Sequence, residues 1–240
     1  MSTPPPTIDP KQLERVRALL AKAEATPYEE EAASYTAKAQ ELMARHSIDA
    51  AMLRNAAGAA GGGPIARPIR IDDPYARAKS VLLACVAAAN HAQVVWNQAR
   101  REATVFGFPE DGANIELLYT SLLLQATQGM LAAGRQIDRG GRSRTRSFRS
   151  SFLVAFAYRI GERLTEATEH ATAEAEAVHG ESLLPVLARQ DEAVTQARDE
   201  AFPKLRTHRV ATSNLGGYRA GREAAERADL HDGRRLGSAG

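Results

Sequence analysis

Residues 146–164, RSFRSSFLVAFAYRIGERL, predict a long helix with one strongly apolar face. Large apolar side chains recur in this stretch every four residues, which is the spacing of one face of an α-helix. They are Phe148, Phe152, Phe156, Ile160 and Leu164. We expect the helix to begin just after Gly141 and to end at Gly180, because glycine is favoured immediately after a helix.

In the segment before this helix, the residue pattern is typical of β-strands and not of a helix. HAQVVWN (91–97) and EATVFGF (102–108) are short runs of β-favouring residues separated by QARR, which indicates an antiparallel hairpin. Residues 109–134 then begin with proline and two acids and carry apolar residues on two faces, as a buried central helix does. The predicted fold class is α+β, predominantly helical, with one antiparallel β-hairpin in the second domain.

The composition of the chain divides it into five parts. Residues 1–9 are a proline-rich, disordered tail, and residues 10–55 are an N-terminal helical module. Residues 56–72 form a linker of glycine, alanine and proline without periodicity. Residues 73–203 make a helix–hairpin–helix domain with long helices. Residues 204–240 form a basic C-terminal segment with a short helix and a frayed tail.

Within the N-terminal module, we expect a helix start at Thr26 and Pro27, with Glu29 completing a capping box. This helix is expected to end at His46, and Ser47 is expected to cap a further short helix. The stretch LLAKAE…KAQELMARHSID resembles the signature of a bacterial and phage family labelled a domain of unknown function. In that family a second uncharacterised domain follows, which the segments 103–126 and 146–164 resemble. The resemblance implies an architecture and carries no catalytic residues.

Several classes of protein are disfavoured. One cysteine, Cys85, allows no internal disulfide, the first residues do not resemble a secretory signal, and the apolar run VLLACVAAA is too short to cross a bilayer. We therefore expect a cytoplasmic protein without membrane contact. No phosphate loop, dinucleotide fingerprint, nucleophile elbow or zinc motif is present. No catalytic residue, metal ligand or cofactor is predicted; the pair Glu166 and His170 is interpreted as an exposed helix face.

Charge is strongly segregated along the chain. Residues 135–149 contain six arginines and one acid, residues 160–203 contain ten acids and three arginines, and residues 204–235 contain eight bases and four acids. Arginine bonds phosphate bidentately, so the basic stretches supply candidate nucleic-acid-binding residues. These candidates are Arg142, Arg144, Arg146, Arg149, Arg206 and Arg209. The alternative is that the basic stretches face the acidic tract and neutralise it inside the fold.

Three functions follow from these observations. The first is a non-catalytic protein that binds DNA or RNA through backbone phosphates. The second is a protein-interaction or homo-oligomerisation module that acts through its helical surfaces. The third, and the one least favoured by the sequence, is an enzyme of unrecognised type.

Overall fold

The computed structural model describes residues 10–25, 29–57, 62–180, 182–206 and 210–228. Within these ranges the chain is predominantly helical and has one small sheet, which confirms the predicted α+β class. In chain order the elements are α1 (Pro10–Ala25), α2 (Glu29–Ala57), β1 (Ile65–Arg70), α3 (Ala76–Ala88), β2 (Gln93–Asn97), β3 (Glu102–Gly107), α4 (Pro109–Ala132), α5 (Thr145–His179), α6 (Leu184–Ala201) and α7 (Leu215–Arg227).

The apolar face of α5 lies in the main core, as the sequence predicts. Phe148, Phe152 and Phe156 form a continuous row, with ring centres 6.3 Å and then 6.4 Å apart. The row packs with buried leucines of α3 and α4. At 35 residues, α5 is roughly 50 Å long, so only its first half can be covered by this core.

The sheet contains the predicted hairpin and one further strand. Strands β2 and β3 pair antiparallel, which confirms the hairpin, and β1 pairs antiparallel with the other edge of β3. The assignment of residues 65–70 to the linker is therefore corrected. Strand β1 contains Pro68 and is exposed over most of its length. Proline is tolerated there because β1 is an edge strand, with one side free of ladder hydrogen bonds.

Helix α2 is continuous through the point where a break was expected. Ser47 does not cap a new helix; it is buried inside α2, and its side chain lies beside the carboxyl group of Asp111. His46 consequently lies inside α2 and not at a helix end. The expected cap at Thr26 and Pro27 lies outside the described residues, and α2 begins at Glu29.

Helices α1 and α2 share the main core with the rest of the chain. Their buried side chains Val16, Leu20 and Met43 belong to the same apolar cluster as the phenylalanine row of α5. The predicted domain boundaries stay a prediction, but the N-terminal helices pack directly on the second region. The predicted tails, residues 1–9 and 229–240, lie outside the described residues.

The tightest helix contact in the C-terminal segment joins α7 to α5. A Cβ atom built on Gly217 would overlap the backbone of Phe148, and one built on Gly221 would overlap the backbone of Phe152. Because residue numbers increase in the same direction along the two contacting faces, α5 and α7 run parallel. At its other end α7 is capped by Arg163, whose guanidinium donates to the carbonyl groups of Ala225 and Ala228.

Replacing Gly217 with alanine should therefore destabilise the protein by about 1–3 kcal/mol, because the added methyl group forces α7 away from α5. Urea unfolding followed by circular dichroism measures the change. Gly216→Ala is the matched control: its Cβ would come no closer than 3.4 Å to the Asn214 side chain, and alanine favours helix. Equal stability of Gly217→Ala and Gly216→Ala would contradict the close contact.

Candidate functional site

The arginines singled out by the sequence lie in and after the loop that joins α4 to α5. This loop is an ordered hairpin-like turn: Ile137 bridges to Ser143, and the amide of Asp138 donates to the Arg142 carbonyl at 3.0 Å. The amide of Arg144 donates to the Gln136 carbonyl at 2.8 Å. The turn therefore closes on itself by backbone hydrogen bonds before the helix begins.

Asp138 organises this turn. One carboxylate oxygen accepts hydrogen bonds from the amides of Gly140 at 3.0 Å and Arg142 at 2.9 Å, and the other accepts from Arg144 Nε at 3.2 Å. These bonds, that from Arg142 foremost, lower the pKa of Asp138. The only acid in the basic stretch is thus occupied within its own loop.

Helix α5 begins at Thr145 and not just after Gly141, because residues 142–144 complete the turn. Arg142 therefore does not share a helix face with Arg146 and Arg149. Arg142 lies in the turn and Arg144 precedes the first helical residue, while Arg146 and Arg149 lie in the first turns of α5. Together these four residues form what we call the arginine cluster. All are exposed except Arg149, which is half-buried.

The arginine cluster lies at the positive end of two helices. The first turn of α5 contains no acid, and the residue before it makes no side-chain cap hydrogen bond. The start of α7 lies beside it, because Gly217 touches Phe148. Both helix dipoles therefore add positive potential to that of the guanidinium groups.

Among the described residues, no ion pair joins Arg142, Arg146 or Arg149 to an acid. A different arginine pairs with the nearby acids: Arg159 bonds Glu226 of α7 at 2.6 Å and Glu162 of α5 at 2.9 Å. Internal neutralisation of the charge tracts thus does not involve these three members of the arginine cluster. Their charge is available to an external anion.

The remaining basic residues do not form a second cluster of this kind in the described part of the chain. Arg206 is exposed in the segment that leads to α7, and Arg219 is exposed on α7 itself. Arg222 lies 3.6 Å from Glu162, so its charge is partly neutralised. Arg209 lies outside the described residues. The structure therefore brings together four of the six predicted arginines.

A second polar group, which the sequence analysis did not identify, is buried between α2, α4 and α6. Glu110 and Arg54 form an ion pair and are 2% and 7% exposed, respectively. The Arg54 guanidinium also lies over the Phe108 ring, 3.9 Å from its centre. Next to this pair, Asp111 lies beside Ser47 and faces the charges of Arg54 and His91. We call Ser47, Arg54, Glu110 and Asp111 the buried polar cluster.

Burial raises the pKa of Asp111 to about 6. At the edge of the cluster, the hydrogen bond from His91 Nδ1 to Asp191, 3.0 Å long, raises the pKa of His91. A carboxyl group of this kind is suited to proton transfer near neutral pH. Asp111 is only 3% exposed, however, so a substrate does not reach it in this conformation. The cluster instead joins α2 to the start of α4.

One signal for the buried polar cluster was present in the sequence. Glu110 and Asp111 follow strand β3 after Phe108 and Pro109. From the sequence they are interpreted only as favourable charges at a helix start. Their partners Ser47 and Arg54 are more than fifty residues away, and no spacing rule connects them.

Other candidate side chains have structural roles. Trp96 is half-buried and packs against the main core. Burial raises the pKa of Cys85 to about 11, so its thiol is protonated and unreactive at neutral pH. His170 lies 3.7 Å from Glu174 on an exposed face. Within the described residues, no three acidic, histidine or cysteine side chains are grouped to hold a metal ion.

The fold and site define a mostly helical α+β protein with a basic surface at one end of its longest helix. Residues 11–50 match the family model described as "Protein of unknown function (DUF2786)", which confirms the resemblance of the N-terminal helices to an uncharacterised family. No curated protein and no solved structure matches the chain. In the described ranges, no helix has the length and apolarity needed to cross a membrane.

The raised pKa values of Asp111 and His91 predict how stability depends on pH. Each group binds its proton more tightly in the folded chain than in the unfolded chain, so the free energy of unfolding falls as pH rises from about 4 through about 6 for Asp111, and above about 6.5 for His91. Asp111→Asn should remove about 1.4 kcal/mol of this loss between pH 5 and pH 8, because one pKa unit corresponds to about 1.4 kcal/mol. Urea unfolding at both pH values measures it. Asp49→Asn, an exposed change on α2, is the control and should behave like the wild type.

Proposed function

We propose that the protein is a non-catalytic nucleic-acid-binding protein that contacts backbone phosphates through the arginine cluster. The observation that carries this proposal is the set of guanidinium groups of Arg142, Arg146 and Arg149 at the positive end of α5, which have no acidic partner within the described part of the chain. Guanidinium groups bond phosphate oxygens bidentately, and backbone amides at a helix start add donors of the same kind.

The charge balance around the cluster supports a polyanion as ligand. From residue 117 to residue 161 the chain contains seven arginines, and Asp138 is its only acid. Residues 201–222, which lead into and form most of α7, contain further bases and no acid. A surface of one sign this extensive attracts a ligand with many phosphates more strongly than one with a single phosphate.

The test is a fluorescence-anisotropy titration of the nuclease-treated protein with labelled duplex DNA, duplex RNA and single-stranded DNA at several salt concentrations. We expect binding that weakens steeply with salt, with a log–log slope of about −3 if three to four phosphates are neutralised. The triple variant Arg142→Glu, Arg146→Glu and Arg149→Glu should weaken binding about a hundredfold, because each charge-assisted bond contributes more than 1 kcal/mol.

The matched control carries the same change of net charge elsewhere. Arg17, Arg77 and Arg100 are exposed and lie on α1, on α3 and in the turn between β2 and β3. Their triple reversal to glutamate should weaken binding only a few-fold. Equal loss in both triple variants would show that net charge, and not the arginine cluster, drives binding. A wild-type protein that binds no nucleic acid at low salt would overturn the proposal; a stable oligomer that persists in high salt would then favour the interaction-module function.

A further inference from the structure

We propose that residues 135–144 form a preorganised arginine hairpin that enters the major groove of double-helical DNA, with Asp138 as its positioning residue. The proposal deepens the nucleic-acid binding proposed above and rests on it. We call residues 135–144 the arginine hairpin. It adds to that function a class of ligand, a groove and a residue that acts by holding others in place.

The arginine hairpin is held in one shape by its own hydrogen bonds. Asp138 is bonded to the amides of Gly140 and Arg142 and to the Arg144 guanidinium, and the Gly141 amide donates to the Asp138 carbonyl at 3.0 Å. At its base, the Thr145 hydroxyl accepts from the Gln136 amide at 3.0 Å. A loop ordered before binding loses less conformational entropy on binding, which favours affinity.

The arginine hairpin also projects from the body of the protein. Residues 139–144 are all exposed. A Cβ atom built on Gly134 or Gly141 would meet no other atom within 4 Å, and one built on Gly140 would meet only Asp138. The side chain of Ile137 is 64% exposed, although isoleucine is usually buried. The tip therefore reaches beyond its neighbours and can enter a groove.

The width of the arginine hairpin selects the groove. Two antiparallel segments lie about 5 Å apart, and their side chains widen the unit to roughly 10 Å. The major groove of B-form DNA, about 12 Å wide, admits a two-stranded ribbon, whereas the minor groove, about 6 Å wide, does not. The major groove of duplex RNA is deep and narrow, so side chains cannot read it. These dimensions favour duplex DNA over duplex RNA.

Within the groove, the exposed arginines of the tip have a suitable partner. Arg139 and Arg142 flank the two glycines of the turn, and a guanidinium group bonds O6 and N7 of guanine bidentately. Behind the tip, Arg146 and Arg149 lie in the first turns of α5, where they would contact phosphates beside the groove. In this arrangement Arg139 and Arg142 enter the groove, and Arg146 and Arg149 bind the DNA backbone beside it.

The first measurement compares ligands at one salt concentration. Anisotropy titrations of the full chain use a labelled DNA duplex, the RNA duplex of the same sequence and the single DNA strand. We expect the DNA duplex to bind about tenfold more tightly than either other ligand, which corresponds to one good base contact. Equal affinity for all three would overturn the hairpin proposal and leave the phosphate-binding function in place.

The second measurement asks whether Asp138 acts by position or by charge. Asp138→Ala adds one unit of positive charge but removes the acceptor that closes the turn. We expect it to weaken binding to the DNA duplex about fivefold and to reduce the preference for DNA over RNA. Asp138→Asn keeps an acceptor oxygen for the two backbone amides and should recover most of both effects. Asp49→Ala, which removes an exposed acid on α2, should bind DNA as tightly as the wild type or more tightly.

The outcomes separate the two proposals. Tighter binding by Asp138→Ala, matching that of Asp49→Ala, would show that the acid only opposes the phosphates and would overturn the positioning role. A wild-type protein that binds none of the three ligands would overturn the hairpin proposal together with the proposed function. Thermal melting of each variant identifies any that has lost its fold, and Asp138→Asn then carries the comparison.

Discussion

The close contact between the backbones of α5 and α7 decides which parts of α5 remain in solvent. Because glycines at 217 and 221 lie against Phe148 and Phe152, α7 covers one side of α5 along its first turns, and the phenylalanine row buries another. The polar residues at the start of α5 then have only the outer surface available. The exposure of the arginine cluster is thus a consequence of apolar packing at the same helix end.

Charge is used in two ways along this helix. Farther along α5, Arg159 is bonded to Glu226 and Glu162. Arg163 is bonded to a carbonyl group at the end of α7. At the start of α5, by contrast, three arginines have no acidic partner among the described residues. The near-neutral total charge of the chain, +2, therefore hides a surface that is locally strongly basic. Electrostatic attraction to a polyanion depends on this local distribution.

The sequence predicts the elements that local patterns encode. The four-residue spacing of phenylalanines gives α5, and alternating β-favouring residues give the hairpin of β2 and β3. Strand β1 is not predictable in this way, because it depends on pairing with the distant β3 and its proline argues against a strand. The continuity of α2 is likewise not encoded locally, because the serine expected to start a new helix is buried beside a distant residue, Asp111.

The candidate site, too, is predictable from the sequence only where local patterns encode it. Counting charges along the chain locates the arginines, but the start of α5 is set by the turn that Asp138 closes, and a helix prediction places it three residues too early. The buried polar cluster could not be predicted, because burial of Arg54 and Glu110 depends on how three helices meet. Local chemistry thus indicates which residues carry charge, and packing decides which charges meet a partner.

The ion pair between Arg54 and Glu110 lies beyond the segment that matches the family model. The match ends at residue 50, four positions before Arg54, although α2 continues to Ala57. Replacing either partner alone would leave the other charge buried without its counter-charge, at a considerable energetic cost. Positions 54 and 110 are therefore coupled: a change at one is tolerated only when the other changes with it.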